Sequence, residues 1–524
     1  MRENYSFLFQ KELQMEKESR TCKTIQNARV NLLFVILSFL IAFFSRKIFI
    51  DTLGVEFVGL TSTLQSVLGF LNLAELGIGT AISVTLFKPL KQDNRTEINE
   101  IMTLMSYLYR KIGVFVLISG LILAIFIPFI FSKFEGSLGI VYLGFYVFLC
   151  SSLLTYFINY RQILLSADQK NYVVTKYVQT SNIIKLLIQM WAAYQWENAY
   201  IWILIELIFS IPYCLILNYK ISKTYPWLKT NVCKYKEVVK KYPSVSIYVK
   251  QLFIQKIATF SQSQVTPFLI YAFVSLTSVT YYTNYVTITS KLSLILNAIL
   301  GSTEASIGNL IAEGDKIKIF NTYRQMLSIR FFFAGFFVFM LYFLIEPFIS
   351  LWLGSEYIMD HYILILILAD VFISHFRGAT DQFLYGFGLF KDIWAAIVQT
   401  IIFIVFALVL GSYYKLIGIL LAVFISKIII VMLWKPYFLF KYGLNKAIKT
   451  YWKLFFINVL IIGVTFYWGY IINTIFSNNL SYINWITKAL ILGLYFIISA
   501  GILMYLFVPG FKDIILRFKY FRKR

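Results

Sequence analysis

The stretch VNLLFVILSFLIAFFSRKIFI, residues 30–50, decides the class of fold. It is almost wholly apolar, and its only charged residues, Arg46 and Lys47, stand close to its end. A helix needs about 20 mostly apolar residues to cross the hydrocarbon core of a bilayer. The stretch therefore predicts a transmembrane helix, and the rest of the chain repeats segments of the same kind.

The composition of the 524-residue chain agrees with this first segment. Hydrophobic residues make up 59% of the chain and charged residues only 14%, whereas a soluble domain has roughly a quarter charged residues. Transmembrane strands are excluded because the segments lack the alternation of a barrel and open strand edges cannot face lipid. The apolar segments predict about fourteen transmembrane helices: 30–50, 57–87, 98–131, 139–164, 171–195, 199–218, 245–271, 279–311, 320–350, 362–386, 393–410, 416–434, 452–474 and 486–508.

The basic residues indicate how the chain is oriented. The net charge of +23 is spread over the gaps between the segments, so it predicts no nucleic-acid partner. Counted on alternate sides, 34 Lys and Arg residues fall on one side and 4 on the other. Because the side rich in Lys and Arg is cytoplasmic, we expect a multi-pass protein with both termini in the cytoplasm.

Two halves of the chain resemble each other at an offset of about 220 residues. Pro128-Phe129-Ile130 matches Pro347-Phe348-Ile349, and Gln179-Thr180 matches Gln399-Thr400. Such repeats are frequent in transporters, and an even number of spans per copy keeps the copies parallel. We predict an amphipathic cytoplasmic segment, two six-helix lobes in a pseudo-two-fold arrangement with a basic loop between them, two appended helices and a basic tail: 1–29, 30–219, 220–244, 245–438, 439–508 and 509–524.

One local motif resembles a known family. Ser45-Arg46-Lys47 closes the first segment, Leu53-Gly54 follows as a turn, and Leu71–Ala81 is a stretch rich in small residues. This order resembles the opening of the polysaccharide-biosynthesis and O-antigen flippases of the multidrug/oligosaccharidyl-lipid/polysaccharide (MOP) exporter superfamily, which includes the lipid II flippase.

The resemblance implies a fold and a function. It implies two lobes around a central cationic cavity that opens alternately to the two sides of a bacterial cytoplasmic membrane. The substrate it implies is an oligosaccharide linked to a lipid through (pyro)phosphate, moved outwards for capsule, lipopolysaccharide or other surface polysaccharide. The expected partners are this substrate, membrane lipids and other glycan-assembly proteins.

Basic residues inside the segments are candidates for binding such an anionic headgroup. A charge in mid-membrane costs about 2.5 to 3.5 kcal/mol, so it should face protein or water. Lysines and arginines nearer the segment ends, Arg330 among them, are expected to reach the lipid headgroups. The substrate-binding candidates are Arg46, Lys47, Lys185, Lys256, Lys291, Arg377 and Lys427. The alternatives are external loop charges for Arg46 and Lys47 and structural ion pairs for the mid-span lysines.

Acids and a histidine inside the segments are candidates for ion coupling. Glu75 falls opposite Lys291 at the repeat offset, which predicts an ion pair between the lobes. Asp370 and His375 lie close together in one segment, and His375 is one of only two histidines. These three residues are candidates for binding a coupling ion, Na⁺ or H⁺, or for forming ion pairs. The alternative is that they only fix helix packing. No His and Cys spacing predicts a metal site, and no cofactor is expected.

Three functions remain open from the sequence. The first is the flippase, and the second is a drug or cation antiporter of the same superfamily. The third is a membrane polysaccharide polymerase or ligase, which usually needs a large external loop or a His/Asp active site. Neither feature is visible in this sequence, so we predict that the chain is not an enzyme.

Overall fold

The computed structural model of the chain describes residues 20–75, 77–230, 238, 241–301, 304–389, 392–476 and 481–521. Within these residues every regular element is a helix, which confirms the predicted all-α fold. The chain divides into two compact units: unit 1 is Met1–Lys256 and unit 2 is Ile257–Arg524.

Unit 1 consists of long helices and two short connecting ones. Helix α1 packs along α7, and α8 packs against both α5 and α7 once the chain has turned back on itself. The helices are α1 (Arg20–Leu53), α2 (Val55–Leu71), α3 (Ile78–Lys91), α4 (Arg95–Ile125), α5 (Leu138–Phe157), α6 (Gln162–Ala167), α7 (Asn171–Trp196) and α8 (Ala199–Thr224).

Unit 2 repeats this order and adds helices after it. Helix α9 begins in unit 1 and continues into unit 2, and α15 is extended by further helical turns to Leu444. The helices are α9 (Pro243–Phe273), α10 (Leu276–Gly301), α11 (Glu304–Glu313), α12 (Lys316–Trp352), α13 (His361–Phe376), α14 (Gly378–Gly386), α15 (Ile393–Lys427), α16 (Ile448–Asn473), α17 (Tyr482–Phe507) and α18 (Pro509–Phe521).

The predicted spans 57–87, 139–164 and 362–386 are interrupted, which corrects the expectation of continuous segments. In the first of them, α2 ends at Leu71, a 3-10 turn follows over Asn72–Glu75, and α3 begins after Gly77. Gly77 has φ +90°, a left-handed conformation that glycine adopts readily. Span 139–164 breaks after Phe157 in unit 1, and span 362–386 breaks at Arg377, the corresponding place in the helix order of unit 2.

The predicted spans 393–410 and 416–434 meet in a tight turn inside α15. Lys415 at this turn has φ +51° and ψ −125°, which is not a helical conformation. The chain reverses so closely that a Cβ added at Gly418 would overlap the carbonyl oxygen of Leu410. A side chain at position 418 is therefore excluded by the backbone of the preceding span.

The helix surfaces are apolar, as a bilayer requires. Large side chains such as Leu33, Ile118 and Leu494 are more than half exposed. By length and hydropathy, nine helices among the described residues qualify as membrane spans. That criterion joins the two halves of α15 into one span and leaves out the segments that are broken or more polar: 57–87, 171–195, 245–271 and 279–311.

Helix α12 is the centre of unit 2, because α13, α16, α17 and α18 all pack against it. Its aromatic side chains form the contacts: the Phe331 and Phe376 rings stack with their centroids 4.9 Å apart, and the Phe339 and Phe496 centroids lie 5.0 Å apart. Aromatic pairs of this kind contribute about 0.5–1.5 kcal/mol beyond the area they bury. The last two long helices are thus an integral part of the core of unit 2.

The end of the basic 220–244 loop is attached to the first turns of α4. Lys241 forms an ion pair with Glu100 at 2.7 Å, and the Tyr242 hydroxyl donates to the same carboxylate at 2.8 Å. Earlier in the loop, the backbone N–H of Lys229 donates a hydrogen bond to the side chain of Asn99 on α4. The described part of this loop is therefore held on unit 1.

Candidate functional site

Helix α13 carries two of the polar groups that sequence analysis placed in the membrane, Asp370 and His375. Lys427 of α15 forms an ion pair with Asp370 and donates a hydrogen bond to the Ser374 hydroxyl at 3.0 Å. The Lys427 side chain is only 11% exposed, and that of Asp370 is 36% exposed. Lys427, a substrate-binding candidate, and Asp370, a coupling candidate, therefore form one ion pair. The pair neutralises both charges within unit 2.

His375 lies one residue beyond Ser374 and is held by two neighbouring helices. Its Nε2 lies 2.9 Å from the Ser293 hydroxyl of α10, and its backbone carbonyl accepts a hydrogen bond from Arg330 of α12 at 3.3 Å. The ring is buried. His375 therefore links α10, α12 and α13 within unit 2.

Arg330 is not at the lipid headgroups, so that expectation is wrong. Only 5% of the residue is exposed, and its guanidinium donates hydrogen bonds to the carbonyl oxygens of Leu300 and His375. Room for the guanidinium comes from Gly378, where an added Cβ would overlap it. Burial follows because α12 is 37 residues long, so Arg330 lies well inside it.

The remaining candidates of unit 2 differ in their surroundings. Arg377 is occupied by Asp381 one helical turn away, with Nε 2.9 Å from the carboxylate. Lys291 of α10 is partly exposed, and within the described residues of unit 2 no carboxylate lies within ion-pair distance of it. Among the candidates described in unit 2, Lys291 is thus the one whose charge is the most available to a ligand.

Five candidates lie in unit 1 or on the unit boundary: Arg46, Lys47, Glu75, Lys185 and Lys256. Arg46 is partly buried in α1, and Lys47 lies 3.6 Å from Asp51 on the next turn of the same helix. The side chain of Lys256 lies outside the described residues. Glu75 and Lys291 belong to different units, so the predicted pair between them stays a prediction.

Lys185 forms a closed polar cluster between α7 and α8. Its Nζ lies 2.6 Å from Glu206, and Gln189 donates to the same carboxylate at 3.4 Å and to the Trp202 carbonyl at 3.1 Å. The side chains of Lys185 and Glu206 are only 16% and 15% exposed. The structure thus favours the ion-pair interpretation of Lys185.

Replacing Lys185 with Met is expected to destabilise the protein, because Glu206 would keep a buried charge without its cation. We expect a loss of roughly 2 kcal/mol in the free energy of unfolding. The double variant Lys185→Met, Glu206→Gln should recover most of that loss. Denaturant unfolding of the purified protein in bicelles measures both. A double variant no more stable than the single one would contradict the ion-pair interpretation.

Glu75 lies in the interruption between α2 and α3. Its carboxylate accepts a hydrogen bond from the Tyr109 hydroxyl of α4 at 2.7 Å. Asn72, one 3-10 turn earlier, accepts hydrogen bonds from Tyr156 and Ser152 of α5 at 2.8 and 3.0 Å. A carboxylate, an amide oxygen and three hydroxyls therefore converge at the interruption.

A groove with a volume of about 420 Å³ runs between α7 and α8. Its lining is mostly apolar and includes Ile184, Ile208 and Phe209, with Lys176 and Tyr177 also on its wall. Among the described residues no group of His, Cys, Asp and Glu side chains is arranged to hold a metal ion. The groove offers an apolar surface beside one positive charge.

Sequence analysis missed the groups that surround the candidates. Tyr109, Tyr156 and Gln189 are ordinary membrane-helix residues in the sequence, and nothing in their spacing connects them with Glu75 or Glu206. A signal for the first cluster does exist. Asn72 and Glu75 are three residues apart and followed by Gly77, which is the spacing that a 3-10 turn places on one side.

Comparison with known proteins identifies the fold. No protein-family model matches the chain, and no curated protein matches it in sequence. Among solved structures, the lipid II flippase MurJ in an inward-closed conformation is similar with a TM-score of 0.66 and 17% identity, covering 94% of this chain and 100% of the flippase. An inward-facing multidrug resistance MATE family transporter of the MOP superfamily has a TM-score of 0.62 and 15% identity, covering 81% of this chain and 99% of the transporter.

A third structure, a mutant of the Vibrio cholerae MATE transporter VcmN, has a TM-score of 0.52 and 12% identity, covering 81% of this chain and 99% of the transporter. The chain thus has the MOP-type fold that MurJ and the MATE transporters share. Its structural neighbours are transporters and a flippase, not enzymes. At these identities the likeness concerns the fold.

Proposed function

We propose that this chain is a flippase for a lipid-linked oligosaccharide. It moves the (pyro)phosphate-bearing headgroup from the inner to the outer leaflet of a bacterial cytoplasmic membrane by alternating access, with both termini cytoplasmic, and so supplies surface polysaccharide assembly. The observation that carries the proposal is the likeness to the lipid II flippase, which extends over nearly the whole of both chains.

The charges of the chain support an anionic headgroup. Lys291 is partly exposed and meets no carboxylate among the described residues of unit 2, so its ammonium group is available to a phosphate. Outward movement of a negative headgroup is favoured by an inside-negative potential, by about 2.3 kcal/mol per charge for each 100 mV. The membrane potential therefore supplies part of the driving force.

The groove between α7 and α8 supports a lipid as the carrier. It is lined by apolar side chains along most of its surface, and Lys176 contributes a positive charge to its wall. An isoprenoid or acyl chain bearing a phosphate combines these two properties. A free sugar nucleotide, which has no apolar part, does not fit such a lining.

The proposal is tested by deleting the protein from the cells that make it and identifying the lipids that accumulate. The expected result is a lipid-linked oligosaccharide on the inner leaflet together with loss of surface glycan. Restoring the full chain should reverse both effects. Accumulation of unpolymerised repeat units outside the cell would instead indicate a polymerase or ligase and would overturn the proposal.

Replacing Lys291 with Met is expected to slow flipping about 10-fold or more, because the headgroup loses a charge-assisted contact while no ion pair described within unit 2 is broken. Lys453→Met, which removes an exposed lysine of α16, is the matched control and should keep the rate. The measurement is flipping of a fluorescent lipid pyrophosphate oligosaccharide in proteoliposomes. Equal rates for the two variants would remove Lys291 from the substrate path.

A second candidate, a multidrug exporter, is favoured by the likeness to the MATE transporter with a TM-score of 0.62. The two functions are distinguished in the same proteoliposomes. Uptake of an organic cation such as ethidium, without flipping of the glycolipid, would favour the exporter.

A further inference from the structure

Two positive groups meet at one aromatic ring near the start of α12. The guanidinium carbon of Arg324 lies 5.9 Å from the centroid of the Phe320 ring, and Nζ of Lys446 lies 5.6 Å from the same centroid. The attraction of an exposed cation to a ring is weak, and like charges repel each other. Two cations held at one ring therefore favour an anion beside them.

The carboxylates near this ring do not neutralise the cations. Asp513 of α18 lies 3.4 Å from Arg324, and 42% of its side chain is exposed. Lys446 and Lys512 are exposed and have no carboxylate within ion-pair distance among the residues that the structure describes in unit 2. We call these four residues and Phe320 the basic surface of unit 2. Its three cations outnumber its one carboxylate.

Helix α18 contributes two residues to the basic surface and is fixed to α12. The rings of Phe511 and Phe332 lie with their centroids 5.3 Å apart. The two backbones are in contact as well, since a Cβ added at Gly510 would lie 2.6 Å from the carbonyl oxygen of Arg324. The C-terminal helix therefore belongs to the body of unit 2 and holds its charges in place.

The sequence of α18 is typical of a helix that lies along a membrane surface. Basic residues alternate with an apolar stripe at positions i, i+3, i+4 and i+7, which consists of Phe511, Ile514, Ile515 and Phe518. Ile515 remains 40% exposed, so the protein does not bury the whole stripe. The exposed part is available to lipid.

The end of the preceding span adds apolar side chains next to these charges. Helix α17 is 26 residues long, which is enough to cross the hydrocarbon core, and it ends at Phe507, two residues before α18 begins. Leu506 and Phe507 are 64% and 61% exposed. Lys512 lies against the same helix end, with Nζ 5.8 Å from the centroid of the Tyr505 ring. Positive charge and exposed apolar side chains thus meet at the end of a span.

We propose that the basic surface of unit 2 binds an anionic phospholipid of the surrounding bilayer. The headgroup phosphate contacts Arg324, Lys446 and Lys512, and an acyl chain lies along the exposed apolar side chains of α17. Guanidinium and ammonium groups are the usual partners of phosphate. Basic pockets at the ends of membrane helices bind anionic headgroups in this way.

The surroundings of the basic surface favour an anionic phospholipid over other ligands. Inorganic phosphate would use the cations alone and leave the apolar side chains of α17 without a partner. A zwitterionic lipid carries its own ammonium group, which the three cations repel. Binding of the phospholipid does not rest on the proposed function, because this lipid is part of the membrane and is not transported. A protein that binds it but does not flip the glycolipid would contradict only the proposed function.

The test is binding of dioleoylphosphatidylglycerol to the purified full-length protein in detergent, with the bound lipid counted by native mass spectrometry. Dioleoylphosphatidylcholine, which has the same chains and no net charge, should bind about 10-fold more weakly. Lys446→Gln should weaken binding of phosphatidylglycerol about 5-fold, and the double variant Arg324→Gln, Lys446→Gln about 20-fold. Lys446→Arg keeps the charge and should bind like the wild type.

Asp513→Asn gives the sharpest result, because it should change the affinity in the opposite direction. Removal of the carboxylate leaves Arg324 to the lipid phosphate, so phosphatidylglycerol should bind about 5-fold more tightly. The matched control is Lys91→Gln, at an exposed lysine at the end of α3 in unit 1. It lowers the net charge of the chain as much as Lys446→Gln does and should leave the affinity unchanged.

Four outcomes overturn the proposal. Equal losses for Lys446→Gln and Lys91→Gln would mean that the lipid follows only the net charge of the chain. Equal binding of the two lipids would mean that the headgroup is not recognised. Displacement of phosphatidylglycerol by an equal concentration of inorganic phosphate would identify a site for a free anion. Displacement by an equal concentration of a lipid pyrophosphate oligosaccharide would assign the surface to the transported substrate.

Discussion

Replacing Asp370 with Asn is expected to lower the free energy of unfolding by roughly 2–4 kcal/mol. Lys427 is almost fully buried, so without the carboxylate its charge would keep, among the residues that the structure describes, the Ser374 hydroxyl as its hydrogen-bond partner. The size of the side chain does not change, and the loss therefore measures the charge. Unfolding of the purified protein by denaturant in bicelles gives the number.

Lys427→Met is expected to lower the free energy of unfolding by less than Asp370→Asn does. This difference between the two variants is the sharper test. Lys427→Met leaves a negative charge on Asp370, which is more exposed than Lys427 and easier to hydrate. The double variant should be more stable than Asp370→Asn alone. Asp513→Asn, which breaks a longer and more exposed pair with Arg324, at 3.4 Å, is the matched control and should cost less than about 1 kcal/mol. Equal losses for Asp370→Asn and Asp513→Asn would show that the pair contributes nothing special.

The second large effect is expected at Arg330. Arg330→Met removes two hydrogen bonds from the carbonyl groups of Leu300 and His375 inside unit 2, and we expect a loss of about 3 kcal/mol. Gly378→Ala should lower the free energy of unfolding by a similar amount, because the added Cβ overlaps the guanidinium of Arg330 and displaces it. The amount of folded protein after extraction and its free energy of unfolding measure both variants.

The two substitutions at this position should be strongly non-additive. In the Arg330→Met variant, the flexible Met side chain leaves room for a Cβ at position 378. Adding Gly378→Ala to this variant should therefore lower the free energy of unfolding only slightly further. Gly463→Ala, at a helical glycine with open space around it, is the control for the loss of a glycine. Additive losses in the double variant would mean that Arg330 and Gly378 act independently.

Much of the fold was predictable from hydropathy, since an apolar segment of bilayer length has few alternatives to a helix. The interruption at Gly77 was not, because both halves of 57–87 are apolar and hydropathy carries no information on φ. The sequence did predict a break between spans at Lys415, because the basic residue and the flanking glycines separate two apolar segments.

The candidate site was predictable only in part. Depth in a segment singled out Lys185 and Lys427, since charge in a membrane is rare and costly, and the repeat offset to Lys291 singled out Glu75. It did not reveal that Lys185 meets Glu206 or that Lys427 meets Asp370, because these partners lie on other helices. For Arg330 the prediction was wrong, since depth alone does not say whether a long side chain turns towards lipid or towards the core.

The sequence by itself determined that the chain is a bundle of membrane helices and which of its charges fall inside apolar segments. Both follow from the cost of placing polar groups in lipid, a property that each segment carries alone. Only the tertiary structure decided which charges neutralise one another and that Glu75 lies in a cluster of oxygen groups at a helix interruption. Those outcomes depend on distances between helices, which packing sets and local sequence does not record.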